Sequence, residues 1–423
     1  MEHKVTTLKN GLRVVLVPLR DAKTATVLLM VGTGSRYENK SENGLAHFLE
    51  HMFFKGTKRR PTARAITTEL DGIGGAYNAF TGKNRTAYYA KISKEHIETA
   101  LDVVSDIFLN SVLSASEIEK ERGAIIQEIN MYEDMPMRSV GDVFETLLFG
   151  ESHPLGRTIL GPKENILSFT RTDFSRYLAR CYSAQNTVVC IAGAFPESKV
   201  LVKIKKDFSK VPVGTLPPFT PFTPSQKVAR VHIKNKKTDQ TQLVLGVLSY
   251  PFKHKDEYVL EVLTTVLGIG MSSRLFTEVR ERRGLAYFIR ASLEKFSDTG
   301  YFAVQAGVEH SNLHKAVGTI MQELRKIKRF QVTPAELTKA KEHLKGSLAL
   351  SLETPEDLAG HAATSLTLLG RVETLEGIKS RVDAVTAGDV QRVARDLFKT
   401  QRLNLAIIGP HAKEKPLLSL LRA

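Results

Sequence analysis

Apolar positions along this chain recur with two periods, and the change from one to the other marks the elements. Short β-branched stretches at residues 12–17 and 24–31 predict strands. An apolar segment with no proline follows, and its spacing predicts a helix over residues 47–53. A further strand is predicted near residues 86–92. Amphipathic helices come next, over 95–109 and from Ser114, a cap-like serine with Glu117 three residues on. An apolar strand at 186–193 closes the series.

The series then repeats at an offset of about 216 residues. Thr26-Val-Leu-Leu-Met matches Gln242-Leu-Val-Leu-Gly, and the closing strand matches residues 402–409. Ser114-Ala-Ser-Glu-Ile matches Thr333-Pro-Ala-Glu-Leu after a small insertion. Several matches in one order argue for duplication. Between the halves, residues 211–226 hold five prolines, which forbid a helix and favour an extended connector. The predicted fold class is α+β: two tandem similar halves, each a mostly antiparallel sheet packed with helices.

Composition narrows the function classes. At 423 residues the chain is too long for one ordinary domain, and 42% hydrophobic with 25% charged residues is that of a globular protein. The net charge of +15 raises a nucleic-acid partner, but basic and acidic residues are interspersed and no aromatic platforms accompany them. The expectation is no nucleic-acid partner. No apolar run is long enough to span a bilayer, so no membrane association is expected. The N-terminus has no signal or transit pattern. Only two cysteines are present, Cys181 and Cys190, both in apolar stretches. They are expected to be buried, inert thiols in a reducing, cytoplasmic compartment.

Chemistry concentrates in Asn43-Gly-Leu-Ala-His47-Phe-Leu-Glu50-His51. Residues i and i+4 share one helix face, so His47 and His51 can direct their imidazoles at one ion. Zinc accepts imidazole nitrogen in a tetrahedral site. Glu50 projects to the same side and can take a proton from a zinc-bound water. This is the H-x-x-E-H arrangement, the inverse of H-E-x-x-H. A third protein ligand is needed. Glu121 and Glu128 lie seven apart on one face of a predicted helix with an apolar stripe through Ile118, Ile125 and Ile129. One of the two carboxylates could bind zinc while the other orients a histidine or the water.

With these residues the chain resembles the pitrilysin family of inverted-motif zinc peptidases, on the branch of mitochondrial processing peptidase and its bacterial relatives. The resemblance covers essentially the whole chain. The family's third ligand lies about 77 residues beyond the second histidine, and here that position is Glu128. The resemblance therefore implies His47, His51 and Glu128 as zinc ligands, Glu50 as general base and Glu121 as a supporting glutamate. It implies that Gly74-Gly-Ala-Tyr-Asn-Ala-Phe-Thr81 is an edge strand taking substrate by strand addition, with Asn78 and Ala79 at the substrate-contact positions. In the second half, Arg280 and Tyr287 match the family pair that holds the substrate backbone and the developing oxyanion. The positions equivalent to His47, Glu50 and His51 are Leu263, Val266 and Leu267, and those equivalent to Glu121 and Glu128 are Ala340 and Ser347, so no second metal site is expected.

The resulting expectation is a zinc metalloendopeptidase acting on unfolded peptides or precursor segments. Its catalytic domain spans 1–212, a proline-rich linker 213–226, and a degenerate repeat domain carrying Arg280 and Tyr287 spans 227–423. The resemblance further implies a homodimer whose site is completed in trans. The competing expectation is a non-catalytic scaffold subunit, since the family includes chains that lost the zinc motif.

Overall fold

A computed structural model describes residues 2–423. It resolves into two compact units that do not follow the sequence halves. Unit 1 comprises residues 1–129, 158–220 and 349–375, and unit 2 comprises 130–157, 221–348 and 376–423.

Unit 1 holds a six-stranded sheet of β1 (Lys4–Thr7), β2 (Arg13–Pro18), β3 (Thr24–Val31), β4 (Ala76–Thr81), β5 (Thr86–Ser93) and β6 (Thr187–Gly193). The order is β1-β2-β6-β3-β5-β4, and only the β2–β6 pairing is parallel. The helices on one face include α1 (Leu45–Met52), α2 (Ala63–Asp71), α3 (Ile97–Asn110) and most of α4 (Ala115–Glu133). The strand period of two divides β3 cleanly. Val27, Leu29 and Val31 face these helices, while Leu28 and Met30 face the other way.

That other face is covered from the far end of the chain. The helix Pro355–Leu369 lays Leu358, Ala359, Ala362, Ala363 and Leu366 against Val15, Val17, Leu28, Met30, Val188 and Cys190. Both faces of β3 and β6 are therefore dry, which is why these strands read as continuous apolar runs. The two cysteines are buried and unpaired.

Unit 2 holds a five-stranded sheet of β7 (Arg230–Asn235), β8 (Thr241–Ser249), β9 (Ala286–Lys295), β10 (Gly300–Val308) and β11 (Asn404–Gly409), in the order β7-β11-β8-β10-β9. Its cover is the reciprocal one. Helix α5 (Pro136–Phe149), from the first half of the sequence, packs Val140, Phe144 and Leu148 on Val244, Ala303, Ala406 and Ile408. The approach is close at Gly246, where a Cβ would come within 2.8 Å of the Phe144 ring. α5 and the helix Pro355–Leu369 each follow the long helix of their half, α4 and Pro334–Leu350, so each sequence half sends its equivalent helix to the other unit's sheet. Residues 212–226 carry neither helix nor strand. Among the described residues no helix is long and apolar enough to cross a membrane.

The exchanged helix is packed through small residues, which gives a direct test. Ala363 is fully buried against the unit 1 sheet. Ala363→Leu should overpack that layer and lower stability by ~1–3 kcal/mol, read by urea denaturation. An unchanged midpoint would mean that the helix does not seal the sheet as described.

Candidate metal centre

Helix α1 is only eight residues long, and its position is fixed at its start. Gly44, its N-cap, has φ of 102°, and a Cβ there would lie 2.6 Å from the Leu160 carbonyl oxygen. The buried Glu38 carboxylate accepts the Gly44 N–H at 3.0 Å and the Ala46 N–H at 2.6 Å, so it satisfies donors that a helix start leaves unpaired. Asn43 adds a third donor to Glu38 at 3.2 Å and bonds the Thr158 carbonyl at 2.9 Å. The apolar side of α1 then packs Phe48 edge-on against Phe169 and Phe174.

The polar side carries His47, Glu50 and His51. Helix α4 brings Glu121 and Glu128 to it. The Glu128 Oε2 lies 3.5 Å from the Nε2 of His47 and 3.5 Å from the Nε2 of His51. Those separations are long for hydrogen bonds. They match the edge of a tetrahedron with bonds of about 2.0–2.1 Å, which is ~3.4 Å. Among the described residues this trio is the group whose potential ligand atoms converge, all within 4.8 Å of one another. The donor set, two imidazoles and one carboxylate, is one that zinc accepts with a position to spare. His47, His51 and Glu128 fit a zinc ion.

Glu121 occupies the next layer. Its Oε1 lies 2.9 Å from His51 Nδ1, which leaves Nε2 of that ring for the metal side. Lys55 holds the other oxygen of Glu121 at 2.5 Å. Burial alone would lower the pKa of His51, but the Glu121 hydrogen bond and the charge of Glu128 outweigh it and raise it. Burial likewise works against ionisation of Glu121, and His51 and Lys55 overcome it and hold its carboxyl low. The Glu128 carboxyl is held low chiefly by His47. With Glu50 beside them, three carboxylates face one ammonium, a surplus of negative charge suited to a dication. The Nδ1 of His47 is buried and has no hydrogen-bond partner, so no side chain fixes that ring from behind as Glu121 does for His51.

Glu50 is half-buried and accepts the Thr81 hydroxyl at 2.6 Å on Oε2. Thr81 ends β4, an edge of the unit 1 sheet. Asn78 is exposed on that strand, and its Oδ1 caps the Ala79 N–H at 2.9 Å. Arg280 and Tyr287 belong to unit 2. The Arg280 guanidinium lies 4.8 Å over the Phe276 ring and 5.7 Å from the Tyr287 ring, and Tyr287 is 76% exposed.

Sequence reasoning missed three groups at this site. Lys55 had a usable signal, four residues after His51. Thr81 lay inside the edge-strand segment but carries no signal of contact with Glu50. Glu38 reads as one more surface charge in a polar stretch, and nothing local shows that it turns inward.

Glu38 supplies a pH test. Burial pushes its carboxyl up to about 7, against the pull of three N–H donors. Between the ordinary value of 4.5 and about 7, the folded chain keeps a proton that the unfolded chain has lost. This contribution to stability is complete below 4.5 and is lost as the pH rises through about 7. Glu38→Gln removes the titration. The stability of the unsubstituted protein should therefore fall relative to the variant by up to ~3 kcal/mol between pH 4.5 and 7.5, read by urea melts. Parallel pH profiles would contradict it.

Comparison with known proteins gives the family. Residues 13–163 match the family model described as Insulinase (Peptidase family M16), and residues 168–344 match the Peptidase M16 inactive domain. An uncharacterised zinc protease of Bacillus subtilis is 37% identical over 406 residues, covering 96% of this chain and 97% of that protein. One from Streptomyces coelicolor is 35% identical over 411 residues, covering 96% of this chain and 89% of that protein. The crystal structure of a Helicobacter pylori protease superposes with a TM-score of 0.90 at 28% identity, covering 97% of this chain and 99% of that one. A peptidase M16 inactive domain from Pseudomonas fluorescens shares the fold, with a TM-score of 0.89 at 18% identity over 97% of this chain and 98% of that one. With a converging His–His–Glu trio in its first half, matches to both M16 domain models and relatives at 35–37% identity along nearly its whole length, the chain belongs to peptidase family M16, the insulinase or pitrilysin-like zinc proteases.

Proposed function

We propose that this chain is a zinc metalloendopeptidase that hydrolyses peptide bonds of unfolded peptides or precursor segments. The observation that carries the reading is the placement of both Nε2 atoms 3.5 Å from one Glu128 oxygen, with Glu50 on the same short helix. When bound, zinc supplies Lewis acidity to the scissile carbonyl and lowers the pKa of its water. Glu50 takes the proton of the attacking water and later delivers it to the leaving amine. Glu121 holds His51 through Nδ1, with its own charge balanced by Lys55.

Substrate lies along the open edge of β4 at Asn78 and Ala79, where an extended peptide continues the sheet. Tyr287 donates to the developing oxyanion and Arg280 holds the substrate backbone. The exposure of Tyr287 supports a role that waits for a partner. In this reading the chain is a homodimer, and a second copy's Arg280 and Tyr287 complete each site. The two buried, unpaired thiols support a reducing, cytoplasmic setting.

Glu50→Gln should retain stoichiometric zinc while kcat falls by ~10²–10⁴ on a peptide-pool substrate followed by mass spectrometry. Full activity in that variant would sink the assignment of the base. Light scattering should give the mass of two chains for the active species. An active species with the mass of one chain would refute completion in trans.

A further inference from the structure

The hairpin between β4 and β5 sets the direction in which each backbone group of β4 points. The Gly82 N–H donates to the Arg85 carbonyl at 2.8 Å, so these two residues close the hairpin as a hydrogen-bonded pair. Pairs alternate along an antiparallel ladder. The next pair, Thr81 with Thr86, is therefore a non-hydrogen-bonded one, and so are Ala79 with Tyr88 and Tyr77 with Ala90. The N–H and C=O groups of Tyr77, Ala79 and Thr81 point away from β5, toward the open edge. The Asn78 amide oxygen sitting on the Ala79 N–H agrees with that direction.

The side chains of the same three residues share one face of the strand. On that face Tyr77 stacks on Phe54, and the Thr81 hydroxyl donates to Glu50. Thr81 thus offers its backbone to whatever pairs with the edge and its side chain to the carboxylate read here as the base. A hydrogen bond to a carboxylate at 2.6 Å is short and charge-assisted. It engages Oε2 and restrains rotation of the carboxyl, so Oε1 is the oxygen left to receive a proton.

We propose that Thr81 is a positioning residue that couples strand addition at β4 to the alignment of Glu50. A peptide that pairs with the Thr81 backbone settles the end of the strand, and the hydroxyl carries that placement to the carboxylate. The inference rests on the peptidase reading given above. It differs from that reading in assigning the aim of the base to a residue outside the metal helix.

The test uses the full-length, zinc-loaded protein with Thr81→Val and Thr81→Ser. Valine keeps the shape and the backbone but removes the donor, so kcat should fall by ~10–100-fold with KM within about twofold. Zinc content by elemental analysis should stay at the unsubstituted level. Serine restores the donor and should recover kcat to within about threefold. Crystal structures should show the Glu50 carboxylate rotated from its place in the valine variant and returned to it in the serine variant. An unchanged kcat in Thr81→Val overturns the proposal. So does a loss of zinc or of fold in valine that serine does not reverse. If the unsubstituted protein cleaves no peptide, the peptidase reading fails by itself. The Glu50 position in the valine variant then decides the holding role: an unmoved carboxylate refutes it, and a rotated one supports it.

Discussion

One oxygen of Glu128 stands at equal distance from two imidazoles on another helix, and much of unit 1 serves to keep it there. The difficulty lies with α1. Eight residues make little more than two turns, and a helix that short does not hold itself together in water. Its direction must come from outside. Glu38 and the left-handed Gly44 set its first turn, and Phe48 wedges it against Phe169 and Phe174. Beyond its end, Thr57 and Arg60 lock the chain to Asp106, which has no exposed side-chain surface. α4 needs less help, since it runs for nineteen residues and buries Ile118, Ile125 and Ile129. The ligand set is thus a short, externally clamped helix presented to a long, self-supporting one.

Much of this was legible in sequence. The strands at 12–17 and 24–31 are β2 and β3 within a residue at each end, because continuous β-branched runs leave little else to form. The i, i+4 histidines fall on α1, and the paired glutamates on one face of α4. The exchange of α5 and the helix Pro355–Leu369 was not legible. A strand buried on both faces announces that two layers cover it, but its own residues do not say from which half the second layer comes. Both exchanged helices are apolar along one stripe and would satisfy either sheet. What decides between them is the path of the chain, which local pattern does not encode.

The polar detail was legible in proportion to its regularity. Lys55 stands one turn beyond His51, just past the end of α1, so its closeness to Glu121 could have been suspected. Thr81 reaches Glu50 across thirty-one residues and Glu38 reaches α1 from an irregular loop. Such contacts depend on loop geometry, where no periodicity operates. They also carry most of the orientation at the site, because the metal helix cannot orient itself.

The second half of the chain separates what folds the unit from what binds the metal. Leu263, Val266 and Leu267 stand where the first half has its motif, and all three are buried in a continuous apolar cluster. Ala340, the counterpart of Glu121, is buried with them. The same order of strands and helices persists there, and among the described residues it gathers no second His–His–Glu trio, so the framework does not depend on such a trio. That distinguishes it from small domains whose metal supplies the folding free energy. The cluster in the first half is instead a cost, since it places His47, Glu50 and His51 where the repeat has buried Leu263, Val266 and Leu267, and Glu121 where it has buried Ala340. A framework that stands without the metal can hold its ligands in place before the metal arrives, and this preorganisation is what a catalytic site needs from its fold.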